Sequence, residues 1–500
     1  MAGRGARARG LTGAAAPTAM LVSGALARDV SIPLWIAVAG GLLALWAALD
    51  HLLVPSVRWF LRRRVDRLLE GIRTRLKIDL PPFKTTRRAV LIDRLLFDPE
   101  VQQSAAESAR EQGLPRDVVL ARVRRYAKEI VPNFNAYAYF RLGYSAARSV
   151  ARKLYRVRLG YADEAGLARV HASDTVVFLI NHRSNMDYVL VAYLVAERAA
   201  ISYAVGEWAR VWPLQTLVRA MGAYFVRRDS RDPLYRKVLE RYVAMATAAG
   251  VAQAVFPEGG LSRDGKLRAP KLGILDYMIR SFDLEGERDI VFVPVGVNYD
   301  RVFEDRSLLL DLSPEARRLG APGSFATTAR FAAHNLWLMA RNRWHRFGYA
   351  CVAFGTPVSA REYARARGLD FRRLSKDDRR QKVEAFGRDL MGEVARVIPV
   401  VPVALVATAF VADPRRAWSE LELKAEALRR MRELDARGAH VYIPRGDQDY
   451  AIDVGLRMLT LRRLVEESEG LFRPVPAELP LLSYYANSIA HFFGSEAAGS

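Results

Sequence analysis

The hydrophobic positions follow two rhythms along the chain. Short apolar, β-branched runs lie at 175–180, 201–205, 223–226, 252–256, 290–297 and 349–354. Their length and composition predict buried strands. Stretches with helical spacing separate several of them, at 189–198, 213–221, 233–249 and 274–281. Alternating strands and helices predict an α/β core. Upstream, 87–97, 100–112 and 116–130 alternate apolar and charged positions as amphipathic helices do, and helical character continues over 133–158. Downstream of about residue 360 the pattern is mostly helical. The run 397–412 is apolar but short for a membrane span and reads as a buried helix, with an interfacial segment as the alternative. The stretch 421–437 is a charged amphipathic helix.

The N-terminus differs. Residues 32–49 are apolar without a charge, close to the ~20 residues that span a bilayer core, and Trp35 and Trp46 suit its interfaces. A buried helix or a re-entrant hairpin with 14–27 is the alternative. Arg58, Arg62, Arg63, Arg64 and Arg67 follow, a cluster that favours the cytoplasmic side and anionic headgroups. The expected organisation is a flexible basic N-terminus (1–30), a membrane-anchoring hydrophobic and basic segment (31–78), a helical region (79–170), an α/β core (171–360) and a mostly helical C-terminal region (361–500).

Composition narrows the function classes. The chain of 500 residues is 51% hydrophobic and 26% charged, so it has the material for a large core. Its formal net charge of +22 attracts polyanions: nucleic acid, an anionic membrane surface or phosphorylated substrates. No nucleic-acid recognition motif accompanies the charge, so no nucleic-acid partner is expected. Cys351 is the single cysteine, which excludes an internal disulfide and a cysteine metal cluster. No His-Glu-x-x-His, no Gly-x-Ser-x-Gly elbow and no phosphate-loop sequence occurs. No metal and no cofactor are expected.

The chemistry concentrates where the run 175–180 ends, in Asn181-His182-Arg183-Ser184-Asn185-Met186-Asp187. Ligand and catalytic groups in α/β folds gather at strand ends. Histidine takes a proton from an alcohol near neutral pH, and a carboxylate five residues later, across a strand-to-helix turn, can hold one ring nitrogen. This is the base and orienter of a catalytic triad without its serine. The residues alone also allow a capped helix start, with Ser184 or Asn185 capping and His182 merely packed.

His-x-x-x-x-Asp after a strand resembles the glycerolipid acyltransferases, and three further blocks follow in that family's order. They are Gly222-Ala223-Tyr224-Phe225-Val226-Arg227-Arg228, then Phe256-Pro257-Glu258-Gly259-Gly260-Leu261-Ser262-Arg263 with Lys266 behind it, then Val293-Pro294-Val295 with Tyr299-Asp300-Arg301. The wording is most similar to the glycerol-3-phosphate acyltransferase branch, as is Tyr484-Tyr485-Ala486-Asn487-Ser488-Ile489-Ala490-His491 near the end.

The resemblance implies a mixed sheet flanked by helices, and acyl transfer from acyl-CoA or acyl-carrier protein to the 1-hydroxyl of glycerol 3-phosphate, giving lysophosphatidate. 1-Acylglycerol 3-phosphate and dihydroxyacetone phosphate are the alternative acceptors, and a lipid-binding scaffold is the non-enzyme alternative. It implies that His182 is the general base and Asp187 its orienter. Arg227 and Arg228 would bind the acceptor phosphate, with Arg263 and Lys266 adding contacts. Glu258 and Gly259 would shape the acceptor site, and Pro294 would help form the acyl-donor pocket, unless it simply ends a strand. The expected partners are the acyl thioester donor, glycerol 3-phosphate and membrane lipids, with the active site on the cytoplasmic side of the membrane, the inner one in a bacterium. Two departures bear on the acceptor. Leu261 stands where that branch commonly has a second Arg, and Asn185 where it often has a second His.

Overall fold

Strand β2 (Thr175–Ile180) shows why the sheet sits at the centre of the molecule. Val177 and Leu179 point into one hydrophobic cluster, while Phe178 and Ile180 point into another on the opposite face. A strand buried on both faces reads as a continuous apolar run, as this one does. The computed structural model describes residues 81–195, 200–206, 214–227, 230–310 and 347–494. The expected anchor at 31–78 lies outside the described residues. No helix among the described residues is long and apolar enough to cross a membrane.

The large sheet has the order β1 (Arg156–Ala162), β7 (Tyr349–Phe354), β6 (Ile290–Tyr299), β2, β5 (Gln253–Val255), β3 (Ser202–Val205) and β4 (Tyr224–Phe225), with β8 (Val358–Ser359) also paired to β6. β2 runs parallel to β5 and β6, and β3 parallel to β4 and β5. β6 runs antiparallel to β7 and β8, so the sheet is mixed.

One face carries α1 (Arg88–Leu96), α2 (Pro99–Gln112) and α3 (Arg116–Ile130), whose buried side chains share a cluster with α6 (Pro233–Ala248), α7 (Gly273–Ile279) and α8 (Lys376–Arg396). The other face carries α4 (Tyr144–Leu154), α5 (Met186–Val195), α9 (Pro402–Ala412), α10 (Glu420–Ala436), α11 (Gln448–Leu461) and α12 (Leu479–Ala486). Asp98 and Asp232 cap α2 and α6, each accepting two backbone N–H groups ahead of a first-turn proline. The apolar run near 400 is the buried helix α9, with nine of its residues in the core.

Three features differ from the pattern reading. β1 begins within the stretch read as helical to residue 158. It is an edge strand whose Arg156, Arg158 and Leu159 face solvent, so it lacks the apolar signature of the inner strands. The C-terminal region contains a small antiparallel sheet of β9 (Trp418–Ser419), β10 (Val465–Ser468) and β11 (Leu471–Pro474). Pro294 does not end a strand but sits in the middle of β6, opposite Leu179. β8 pairs with β6 at Val291 and Phe292, and β7 takes over from Val295, so the donor that proline lacks falls in the gap between the two partners.

Candidate active site

The strand end is locked before the histidine appears. Asn181 continues the pairing of β2 with β6 through its side chain, accepting from the Val297 N–H at 2.7 Å and donating to the Val297 carbonyl at 2.9 Å. The backbone of His182 is then held on both sides by the Glu258 loop. Its N–H donates to Glu258 Oε1 at 2.7 Å, and its carbonyl accepts the Ser262 N–H at 2.9 Å.

The His182 ring is 4.1 Å from the Phe256 ring by centroid, and Tyr188 meets it edge-on at 5.6 Å. Nδ1 lies 2.9 Å from Oδ2 of Asp187. A carboxylate acceptor there places the proton on Nδ1 and leaves Nε2 as the basic nitrogen for a substrate. Asp187 has no exposed surface, yet it is well supplied with donors. Oδ2 also accepts the Arg183 and Ser184 N–H groups at 2.7 and 3.0 Å, and Oδ1 accepts the Tyr299 hydroxyl. Donors thus meet both oxygens of the buried carboxylate. The alternative of a capped helix start is also realised, because Ser184 Oγ accepts the Met186 N–H at 3.1 Å. The same turn starts α5 and orients the histidine.

His182 lines a cavity of about 310 Å³ between the ends of β2, β3 and β5 and the helices α6 and α7. Arg227, Arg236 and Lys271 also line it, together with Tyr188, Tyr235, Phe256 and Tyr277. The wall is thus largely apolar, with aromatic rings and cations set into it, a lining suited to an amphipathic anionic substrate.

The other expected site residues divide. Arg227 reaches the cavity, but its Nε and Nη2 are taken by the Glu129 carboxylate at 2.8 and 2.6 Å. Nη1, on the far edge of the fork, is what it can offer an anion. Arg228 lies outside the described residues. Gly259 lines the cavity with φ +69°, and an added Cβ there would meet the Lys271 side chain. Glu258 does not line the cavity. It is 4% exposed and uses both oxygens on backbone, Oε1 on His182 and Oε2 on the Arg268 N–H at 3.1 Å. Its place is beneath the histidine rather than around the acceptor. Arg263 and Lys266 are exposed and not among the lining residues; the cations at the cavity besides Arg227 are Arg236 and Lys271. Pro294 is likewise absent from the lining.

Four residues beyond those expected hold the site. Glu304 accepts the Ser184 hydroxyl at 2.7 Å and the Asn185 N–H at 3.2 Å, and so clamps the turn from below. An acid just behind Val302-Phe303 was its one sequence signal. Glu129 sits on the charged face of an amphipathic helix, where nothing in the pattern separates it from its neighbours. Tyr484 lies under the guanidinium of buried Arg183, 4.7 Å from its ring, while Arg183 Nη1 donates to the Gly265 carbonyl at 2.6 Å. Tyr485 donates to Asp305 and accepts the Val302 N–H at 3.1 Å. The C-terminal helix α12 therefore closes the floor of the His182 turn.

Burial pushes Glu258 and Glu304 up to about 7, against the opposing pull of the donors each accepts. A carboxyl raised in the folded state stabilises the fold below its unfolded value near 4.5, and that contribution is lost as pH rises through 7. Glu304→Gln removes the titration while keeping an acceptor for Asn185 and a donor for Ser184. The stability gain of the native chain between pH 8 and pH 5 is therefore expected to exceed that of Glu304→Gln, by up to about 3 kcal/mol. Unfolding by urea at both pH values measures the difference; equal gains would show that Glu304 is ionised throughout.

The acyltransferase family matches residues 163–298, and the family described as glycerol-3-phosphate acyltransferase C-terminal region matches residues 335–500. A glycerol-3-phosphate acyltransferase of Pseudomonas fluorescens (strain SBW25) is 26% identical over 427 residues, covering 82% of this chain and 48% of that protein. One of Pseudomonas aeruginosa (strain LESB58) is 26% identical over 450 residues, covering 86% and 51%. The chain thus spans about half the length of the curated relatives it matches. The crystal structure of a 1-acyl-sn-glycerophosphate acyltransferase from Thermotoga maritima aligns with 51% of this chain and 78% of that one, at 17% identity and a TM-score of 0.30. The two family matches together take in the His182 turn, the Glu258 loop, β6 up to Asn298 and the clasping helix α12, and over most of its length the chain is similar to glycerol-3-phosphate acyltransferases.

Proposed function

We propose that the chain is an O-acyltransferase that moves a fatty acyl group from acyl-CoA or acyl-carrier protein to the 1-hydroxyl of glycerol 3-phosphate, giving lysophosphatidate for phospholipid synthesis. The observation that carries this reading is the oriented His182 at a cavity lined by three cations and four aromatic rings. Nε2 takes the proton of the acceptor hydroxyl as its oxygen attacks the thioester carbonyl. Asp187 stabilises the imidazolium that forms. The carbon–sulfur bond then breaks, and the thiolate leaves with the proton returned from Nε2, so the histidine is restored. Arg227, Arg236 and Lys271 hold the phosphates of the two substrates near it.

The reaction takes place at the cytoplasmic face of a membrane, the inner one in a bacterium. The apolar run 32–49 and the arginines after it support that reading. The test is a panel of glycerol 3-phosphate, lysophosphatidate and dihydroxyacetone phosphate, each with labelled acyl-CoA and acyl-carrier protein, run on the membrane and soluble fractions separately. The expected result is 1-acyl lysophosphatidate from glycerol 3-phosphate in the membrane fraction. Preference for another acceptor would overturn the substrate assignment, and activity confined to the supernatant would overturn the localisation.

A further inference from the structure

Three of the four donors to Asp187 come from its own turn: the His182 ring, the Arg183 N–H and the Ser184 N–H, all on Oδ2. The fourth comes from far away in sequence. Tyr299 ends β6, a strand buried along its whole length and paired on both sides, and its hydroxyl donates to Oδ1. Its ring is fixed in turn by Tyr155 at 5.3 Å, whose own hydroxyl donates to the Arg301 carbonyl at 3.0 Å. The turn alone leaves the carboxylate free to pivot about its side-chain bond. A donor on the second oxygen, mounted on a rigid strand, removes that freedom.

We infer that Tyr299 is a positioning residue for the transfer, acting through Asp187: its hydroxyl fixes the second carboxylate oxygen and sets how strongly Asp187 holds the His182 imidazolium. This rests on the proposed role of His182 as base. Burial holds the Tyr299 phenol far above its usual ionisation range, so it remains a donor throughout the working pH. The charged and titratable groups around Tyr299, Asp187 and His182 include Arg183, Tyr155, Tyr188, Glu258 and Glu304. None of them is altered by Tyr299→Phe, which removes one oxygen and keeps the ring.

Without that donor the carboxylate can pivot away from Nδ1 and holds the imidazolium less firmly. Tyr299→Phe is therefore expected to lower kcat about tenfold with acceptor KM within about twofold, and to move the acid limb of the kcat profile to lower pH by about half a unit to one unit. In an Asp187→Asn background the same substitution should cost less than about twofold more, because it acts through the missing charge. A readout without turnover completes the test: the pH midpoint of His182 carbethoxylation by diethyl pyrocarbonate, followed by peptide mass, falls in Tyr299→Phe. Superimposable profiles and midpoints, or an equal loss in both backgrounds, would reduce Tyr299 to packing. Failure of the base reading looks different: His182→Ala would then turn over at the native rate.

Discussion

Asp187→Asn is expected to lower kcat by about a thousand- to ten-thousand-fold, with the protein folded and acceptor KM changed by less than about threefold. The substitution fits the site. The amide oxygen can take the place of Oδ2 and accept the Arg183 and Ser184 N–H groups, while the amide nitrogen faces Tyr299, whose hydroxyl turns to accept. What disappears is the negative charge beside Nδ1. His182 is 1% exposed, so water does little to stabilise an imidazolium there in its place. The loss corresponds to about 4–5.5 kcal/mol of transition-state stabilisation, more than one neutral hydrogen bond supplies. Steady-state kinetics beside a thermal melt measure it. A loss below about tenfold would mean that Asp187 holds the turn but not the chemistry.

Gly265→Ala is expected to be the most damaging single methyl in the loop, lowering stability by about 3 kcal/mol or more and activity by more than about tenfold. Gly265 has φ +87°, and an added Cβ would overlap the Tyr484 carbonyl oxygen, which is backbone and cannot swing away. Relief requires moving either the 262–266 turn or α12. The turn is tied to Arg183 through the Gly265 carbonyl and to Asn487 through the Asp264 carbonyl. Displacing it loosens the same segment that receives the His182 carbonyl through Ser262. Hydrogen exchange should show faster opening at α12 and at the His182 turn together. The exposed neighbour Lys266 provides the contrast, since Lys266→Ala should leave stability within about 0.5 kcal/mol. An alanine variant with native stability and rate would separate the C-terminal region from the site.

The parts of this architecture that are legible in sequence are those whose cause is local. β2 is announced by a β-branched run, and the His182 turn by polar residues where that run stops. α3 follows its amphipathic spacing. β1 is not legible, because an edge strand with Arg156 and Arg158 toward solvent has no apolar face to declare it. Pairings across the fold are also silent. Arg227 is recognisable as a cation in the second block, but Glu129, which occupies its fork, lies 98 positions away in another helix. The family resemblance implies that Glu258 shapes the acceptor site; only the path of the chain shows both its oxygens turned onto backbone. Arg236 and Lys271 belong to no block and reach the cavity because α6 and the approach to α7 border it. Leu261 is half-buried, packed against the core rather than lining the cavity, so under the proposed function acceptor recognition would fall to those cations.

The most direct measurement of the central claim is the initial rate of lysophosphatidate formation from glycerol 3-phosphate and labelled acyl-CoA, native chain beside His182→Ala, at equal amounts of folded protein. Product is expected from the native chain, at a rate at least about a thousandfold above that of the variant. Equal rates, or no product from either while the fold is intact, would contradict it.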